Sequence, residues 1–414
     1  MRKIVIFTII LGLSLFLIPG LGQAESLTKG GNLGMNMHWA LDAFDANGKT
    51  EAFIQNTGTK WVREHFWTHL LQGENKDGWL DRYDYVVGRY KKNGNRVVGM
   101  LAYGPNEQKP TQVDDIGAWK RHVKEIVKRY KGSIKVWQIW NEPDSPDYLQ
   151  HNSPEAYRPI LKAGYEAVKE ADPDATVLSA GISYPNQQFI ERMYQLNSDT
   201  FDHLAVHLYY CREFNADRSN TELEDGLNNL YENVIKKYRP DEKIWITEMG
   251  CSTEGGISEN LQNEYLQAKV PYVADLPYVD KVFLYTYRDR VTSNNYENNF
   301  GFVNRALEPK PVFWWYNSIP KGPYNQFREF PYQEAAKAEE LKKGLEKYFG
   351  SGEIPISATN WNTVVNSYIY GGYPIDAIAK AIRTGGHTVH PSIPWEQWKQ
   401  TEQYKTWIAK DPFK

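Results

Sequence analysis

Eight short apolar runs between residues 33 and 289, most of them separated by amphipathic stretches, limit what this chain can fold into more than any other feature. They are "LGMNMHW" (33–39), "KWVREHFW" (60–67), "RVVGMLAYG" (96–104), "IKVWQIWNEPD" (134–144), "ATVLSAGIS" (175–183), "DHLAVHLYY" (202–210), "KIWITEMG" (243–250) and "KVFLYTYRD" (281–289). Their length and their β-branched and aromatic content suit strands. The stretches between them, such as "IGAWKRHVKEIVKRY" (116–130) and "AYRPILKAGYEAVKEA" (156–171), repeat apolar residues at helical spacing. Strands alternating with helices make parallel βα units, and eight units close a barrel. The expected class is α/β, a (β/α)8 TIM barrel over residues 30–320. A doubly wound open sheet competes, but no glycine-rich phosphate loop follows the first run.

Polar residues gather where such a barrel builds its site. His38, Arg63, Glu142, His207, Tyr209 and Glu248 are read at the carboxyl ends of their strands, which form one rim. In "WQIWNEPD" (137–144) the apolar Trp137, Ile139 and Trp140 run into Glu142, and Pro143, lacking an N–H, ends the ladder. A carboxylate there is costly unless it is used. Simple alternation puts Val136, Gln138, Trp140 and Glu142 on one face of strand four, and Ile244, Ile246 and Glu248 on one face of strand seven. Two opposed carboxylates suit glycosidic cleavage: one protonates the leaving oxygen, the other meets the oxocarbenium-like carbon. Arg63 is placed to keep Glu248 ionised, and Tyr209 to hydrogen-bond the same carboxylate. Two structural glutamates in salt bridges are the plainer reading.

"WNEP" after a strand, with "ITEMG" about a hundred residues on, resembles the clan A glycoside hydrolases, which are retaining (β/α)8-barrel enzymes. The chain is most similar to family 39-like members, some of which cut bacterial exopolysaccharides. "WVREHFW", "RYKGSIKVWQIWNEPD", "VKEADPDATVLSAG", "FDHLAVHLYY" and "ENNFGFVNRALEPKP" carry the likeness over most of residues 30–318. The resemblance implies Glu142 as general acid/base, Glu248 as nucleophile, and Asn141 bonding the sugar 2-hydroxyl. Arg63, His207 and Tyr209 would support the nucleophile side, and His38 and Trp67 complete the candidate substrate-binding set. Many clan members carry a Trp at the end of strand eight; this chain has "YTYRD", so Tyr285 or Tyr287 takes that place. The alternatives on the same barrel are a carbohydrate-binding pseudoenzyme, which does not need two opposed carboxylates, and a transglycosylase.

An aromatic share of 14%, with 14 Trp and 28 Tyr, suits sugar stacking as well as core packing, and a net charge of -3 gives no footprint for nucleic acid. Arg2 and Lys3 precede an apolar run from Ile4 to Ile18, and Gly22-Gln23-Ala24 offers a cleavage site before Glu25. Residues 1–24 thus read as a signal peptide, and no later stretch is long enough for a membrane span. The expected product is exported, extracellular or periplasmic, a monomer acting on an oligo- or polysaccharide without cofactor or metal. Export supplies oxidising conditions for Cys211 and Cys251, the only two cysteines. They follow neighbouring strands about 4.8 Å apart, so a disulfide is expected, with two buried thiols as the competing reading. Residues 321–333 read as a linker and 334–414 as a small helical domain. In that domain His387 and His390 lack a third metal partner, and Trp395, Trp398 and Trp407 suit packing or sugar contact.

Overall fold

The computed structural model describes residues 30–319 except 45–46, 107–108 and 198, and beyond them 332–350, 373–383 and single residues 364, 368 and 399. The strands β1 (Leu33–Asn36), β2 (Trp61–Trp67), β3 (Arg96–Ala102), β4 (Val136–Ile139), β5 (Thr176–Ser183), β6 (His203–Leu208), β7 (Ile244–Gly250) and β8 (Val279–Tyr285) follow one another in a closed barrel. All eight pairings are parallel. This is the (β/α)8 barrel expected from the alternation.

The helices fill the crossovers. They are α1 (Asn47–Thr57), α2 (Lys76–Lys92), α3 (Ile116–Arg129), α4 (Pro154–Ala171), α5 (Gln187–Asn197), α6 (Cys211–Ala216), α7 (Glu222–Leu230), α8 (Lys236–Tyr238), α9 (Glu259–Asp275) and α10 (Pro311–Ser318). Starts are set by side-chain caps: Asp115, Ser153 and Ser258 accept from Ala118, Ala156 and Leu261 amides. The apolar faces of these helices bury outward-pointing strand residues such as Val62, Val97, Trp137, Val177, Ile244, Ile246 and Val282 in one large core.

Inside the barrel, β2–β8 each contribute one residue to a floor: Trp61, Val98, Val136, Leu178, Ala205, Trp245 and Phe283. Gly34 on β1 is required beside it, because a Cβ there would lie 2.5 Å from the Phe283 ring. Above that apolar plug the inward residues turn polar, with Asn36, Arg63, Gln138, His207 and Thr247 all buried. A polar layer sealed below by an apolar one is open only toward the carboxyl rim.

Two placements by alternation need correction. β4 stops at Ile139, and Trp140 (φ 74°) and Glu142 (φ 39°) both lie in the left-handed region. Trp140 packs against Tyr103 and Trp119 rather than sharing a face with Glu142. On β7, Ile244 and Ile246 face the helices, and the pairing with β6 skips Thr247, so His207 pairs with Glu248. This bulge lets Thr247 and Glu248 both reach the interior. Arg63 also differs from expectation: it is the third residue of β2, well below the strand's end.

Cys211, opening α6, and Cys251, just past β7, form a disulfide with Cα atoms 5.3 Å apart. Beyond the barrel, α11 (Tyr332–Phe349) begins within the stretch expected to be linker, and α12 (Ile375–Arg383) follows. These two pack on each other: a Cβ on Gly344 would lie 2.4 Å from Ile375. The leader 1–24 and His387, His390, Trp395, Trp398 and Trp407 lie outside the described residues. Among the described residues no helix is long and apolar enough to cross a membrane.

Candidate active site

Glu142 leaves the end of β4 held by its own N–H, which donates to the Gly181 carbonyl of β5 at 3.0 Å. Glu248 comes from the bulge of β7. One carboxylate oxygen of each, together with a ring nitrogen of His207, lies within 4.8 Å of the others. The gap is on the short side of the scale that separates paired carboxylates from those with a water between them.

Their surroundings differ sharply. The Glu248 side chain is 7% exposed and Arg63, fully buried, donates to its Oε1 at 2.6 Å. Tyr209 donates its hydroxyl to Oε2. Burial pushes this carboxyl up, but His207, Arg63 and the hydroxyl of Tyr209 outweigh it and hold Glu248 below the usual carboxylate range. Arg63 is fixed by Gln138 (2.7 Å), Asn36 (2.7 Å) and the His65 ring (2.9 Å), and Nη2 reaches Asn141 Oδ1 at 3.4 Å. Asn36 in turn donates to the Thr247 and Leu284 carbonyls of β7 and β8. Glu142, 14% exposed, meets His207 Nδ1 at 2.7 Å, and His207 Nε2 faces Thr247 Oγ1 at 3.1 Å. That same hydroxyl oxygen accepts from Gln138 at 3.1 Å.

Glu142, His207 and Glu248 are also the three-residue group that has metal-ligand spacing among the described residues. Arg63 argues against that use. Its guanidinium already lies on Glu248, and a divalent cation at the same carboxylate would be repelled by it. The set fits an acid–nucleophile pair steadied by one cation.

The pair opens into a cleft of about 510 Å³, within the usual range for small-molecule sites. Of the residues singled out in the sequence, Trp67, Asn141, Glu142, Tyr209, Glu248 and Tyr285 line it. Of the two tyrosines after β8, Tyr285 is the one in the cleft, while Tyr287 packs against Phe53 of α1. His38 is not in the wall. It lies behind, its ring 4.0 Å from His65 and 5.5 Å from Tyr285, and burial first, then Arg290 and Arg63, keep it neutral. His207, fully buried, also acts from behind.

Several lining residues carried no sequence signal. Tyr103 and Tyr148 stack nearly parallel at 5.9 Å, with Asp147 beside them. From the segment after β8 come Arg290, which donates to the Tyr285 hydroxyl at 2.8 Å and pairs with Asp42, and Glu297. Burial, then the charge of Glu248, raises the carboxyl of Glu297. All of these stand in the connections between strands and helices, Glu297 in a single 3-10 turn, where no periodicity marks the useful position.

Residues 72–316 match the family described as "Glycosyl hydrolase catalytic core". The chain belongs to that family. Among solved structures, the barrel is similar to a family 39 glycoside hydrolase from Bacteroides cellulosilyticus WH2 (20% identity, TM-score 0.54, 70% of this chain and 63% of that one). It is likewise similar to a family 39 β-xylosidase from Caulobacter crescentus (14% identity, TM-score 0.53, 70% of each chain). An exo-β-1,4-mannosidase from an Opitutaceae bacterium aligns at 16% identity and TM-score 0.54, over 69% of this chain and 58% of that one. This chain therefore spans less than two thirds of the Bacteroides and Opitutaceae enzymes. At these identities the likeness is one of fold.

Proposed function

We propose that the protein is a retaining glycoside hydrolase that cleaves β-linked oligo- or polysaccharide by double displacement. The observation that carries this reading is the carboxylate pair: two groups a few ångströms apart at the mouth of one cleft, with unlike environments. Glu248, held ionised by Arg63 and Tyr209, is the nucleophile. Its oxygen bonds the anomeric carbon as the bond to the leaving oxygen breaks. Glu142, more exposed, delivers its proton to that leaving oxygen. In the second half Glu142 takes a proton from water, the water oxygen bonds the anomeric carbon, and the bond to Glu248 breaks. His207 keeps Glu142 aimed, and its tie to Thr247 keeps the ring from turning. Asn141 bonds the 2-hydroxyl of the sugar, and Trp67 and Tyr285 flank it. Family membership and the barrel neighbours support the glycosidase class. An apolar leader ahead of a small-residue cleavage site supports export, and with it a polymeric extracellular substrate.

The test is a leaving-group comparison. Glu142→Gln slows β-glycosides with poor leaving groups by about 10²–10⁴-fold yet still forms the glycosyl-enzyme from a 2,4-dinitrophenyl β-glycoside. Glu248→Gln forms it from neither. Glu142→Ala with azide yields a β-glycosyl azide. Near-wild-type rates for either glutamine variant would end the assignment.

A further inference from the structure

Tyr209, which donates to the nucleophile, stands on a short and lightly tied segment. β6 and β7 pair in register through His207 with Glu248 and Leu208 with Met249, and there the ladder between them ends. β7 runs on to Gly250, which pairs with Tyr285 of β8, and Gln262 of α9 donates to the Cys251 carbonyl at 2.7 Å. The β6 side has no such continuation: Tyr209 and Tyr210 lead straight into α6, a helix of 6 residues. The Tyr209 carbonyl accepts from the Tyr184 hydroxyl at 3.1 Å, a bond made by a half-exposed ring. The covalent tie comes next along the chain. Cys211, just past Tyr210, and Cys251, just past Gly250, join with Cα atoms 5.3 Å apart and both side chains buried. Tyr209 is thus bracketed between the last rung of the ladder and the disulfide.

The bridge is not what packs α6 onto the barrel. Phe214 of α6 meets Tyr265 of α9 edge-on at 5.5 Å, and both belong to the large core. What the bridge does fix is the spacing of two chain segments on either side of one hydrogen bond, from the Tyr209 hydroxyl to Glu248 Oε2. Such a bond weakens steeply with misalignment, and it favours the ionised carboxyl that a nucleophile needs. Other groups face Glu248 as well: Arg63 from β2, His207 from β6, Glu142 past β4, and Glu297, Tyr103 and Tyr285 around the cleft. None of these stands on the segment between Leu208 and Cys211.

We propose that Cys211 and Cys251 are positioning residues of the reaction: their disulfide holds Tyr209 against the nucleophile, and the folded chain reaches full activity only with the bridge closed. This rests on Glu248 as nucleophile and adds to it a dependence of the site on the oxidation state of two buried thiols. Opening the bridge leaves the barrel standing and frees the Tyr209 segment beyond Leu208, so the loss falls on the nucleophile rather than on the fold.

The test compares the native protein with the double variant Cys211→Ala/Cys251→Ala on the 4-nitrophenyl β-glycoside that the native protein cleaves fastest. That leaving group needs little protonation, so the rate reports on Glu248 more than on Glu142. The double variant should lose about tenfold in kcat/KM, with the acid limb of its pH profile moved upward as in Tyr209→Phe. Adding Tyr209→Phe to the double variant should change little further, because the two changes act on one hydrogen bond. A lower melting temperature with native rates and a native pH profile is the mark of a purely structural bridge and would overturn the proposal; fully additive effects would do the same. Should the double variant not fold, the native protein reduced with tris(2-carboxyethyl)phosphine, its two thiols counted by mass after trapping, is read in the same way. Unfolding in that form too would show that the bridge holds the fold rather than the tyrosine, and would overturn the proposal while leaving the glycosidase reading intact. A native protein inert on every glycoside would overturn that reading, and this inference with it.

Discussion

Burial by itself would drive the Glu248 carboxyl toward its neutral form; the cation of Arg63, the charge of His207 and the hydroxyl of Tyr209 reverse the sign. The consequence shows on the acid side of the pH profile. A carboxylate whose folded pKa is depressed stays ionised, and stabilises the fold, above the unfolded value of about 4.5. That contribution is lost only as pH falls through the lower folded value. The acid limb of kcat/KM should therefore lie below pH 4.5, and Tyr209→Phe, which removes a hydrogen bond and little volume, should move it upward. A limb above pH 4.5 in the wild type would show that burial wins. Much of this scale was legible in the sequence. The two glutamates stand in specific motifs, and Tyr209 meets Glu248 from the neighbouring strand, whereas Arg63 reaches it across the barrel interior from below the rim. His38 was misplaced because strand position tells which rim a residue occupies, not whether another ring stands in front of it.

Strands and helices were readable as elements, while their ends and faces were not. The strand four run breaks at Trp140, and a bulge at Thr247 reverses the facing of Glu248. Periodicity assumes an unbroken pleat, and it fails at the points where a site re-aims a side chain. The loop residues Tyr103, Tyr148, Arg290 and Glu297 were not legible at all, since their positions are set by tertiary contacts. Gly181 on β5 exposes the elements' mutual dependence. A Cβ there would stand 1.9 Å from His207 Nε2, so this strand must be bare for the imidazole of the next to lie flat under Glu142. Gly181→Ala should cut kcat by at least about tenfold with a smaller change in KM, because the displaced ring no longer aims Glu142. Unchanged kcat with the histidine displaced in a crystal structure would remove His207 from the mechanism.

At the scale of the whole molecule, the carboxylate pair and all of its cleft lining among the described residues precede Pro311, where the barrel's last helix begins. The barrel's core cluster closes at Ile319, and the buried residues of α11 and α12 are not among its members. Truncation near Gly322 should therefore leave the hydrolysis of small β-glycosides within about twofold of the full chain, and loss of that activity in a truncated protein with intact circular dichroism would mean the tail completes the site. The sequence marks the expected division by its composition change past Pro320, whereas the tail's role has no motif to read. The central claim is that two carboxylates at this spacing work by double displacement. It is tested most directly by following the anomeric proton by NMR in the first minutes of hydrolysis of a 4-nitrophenyl β-glycoside. The account predicts that the β-anomer of the sugar forms first and the α-anomer only later, by mutarotation; an α-anomer formed first would contradict it.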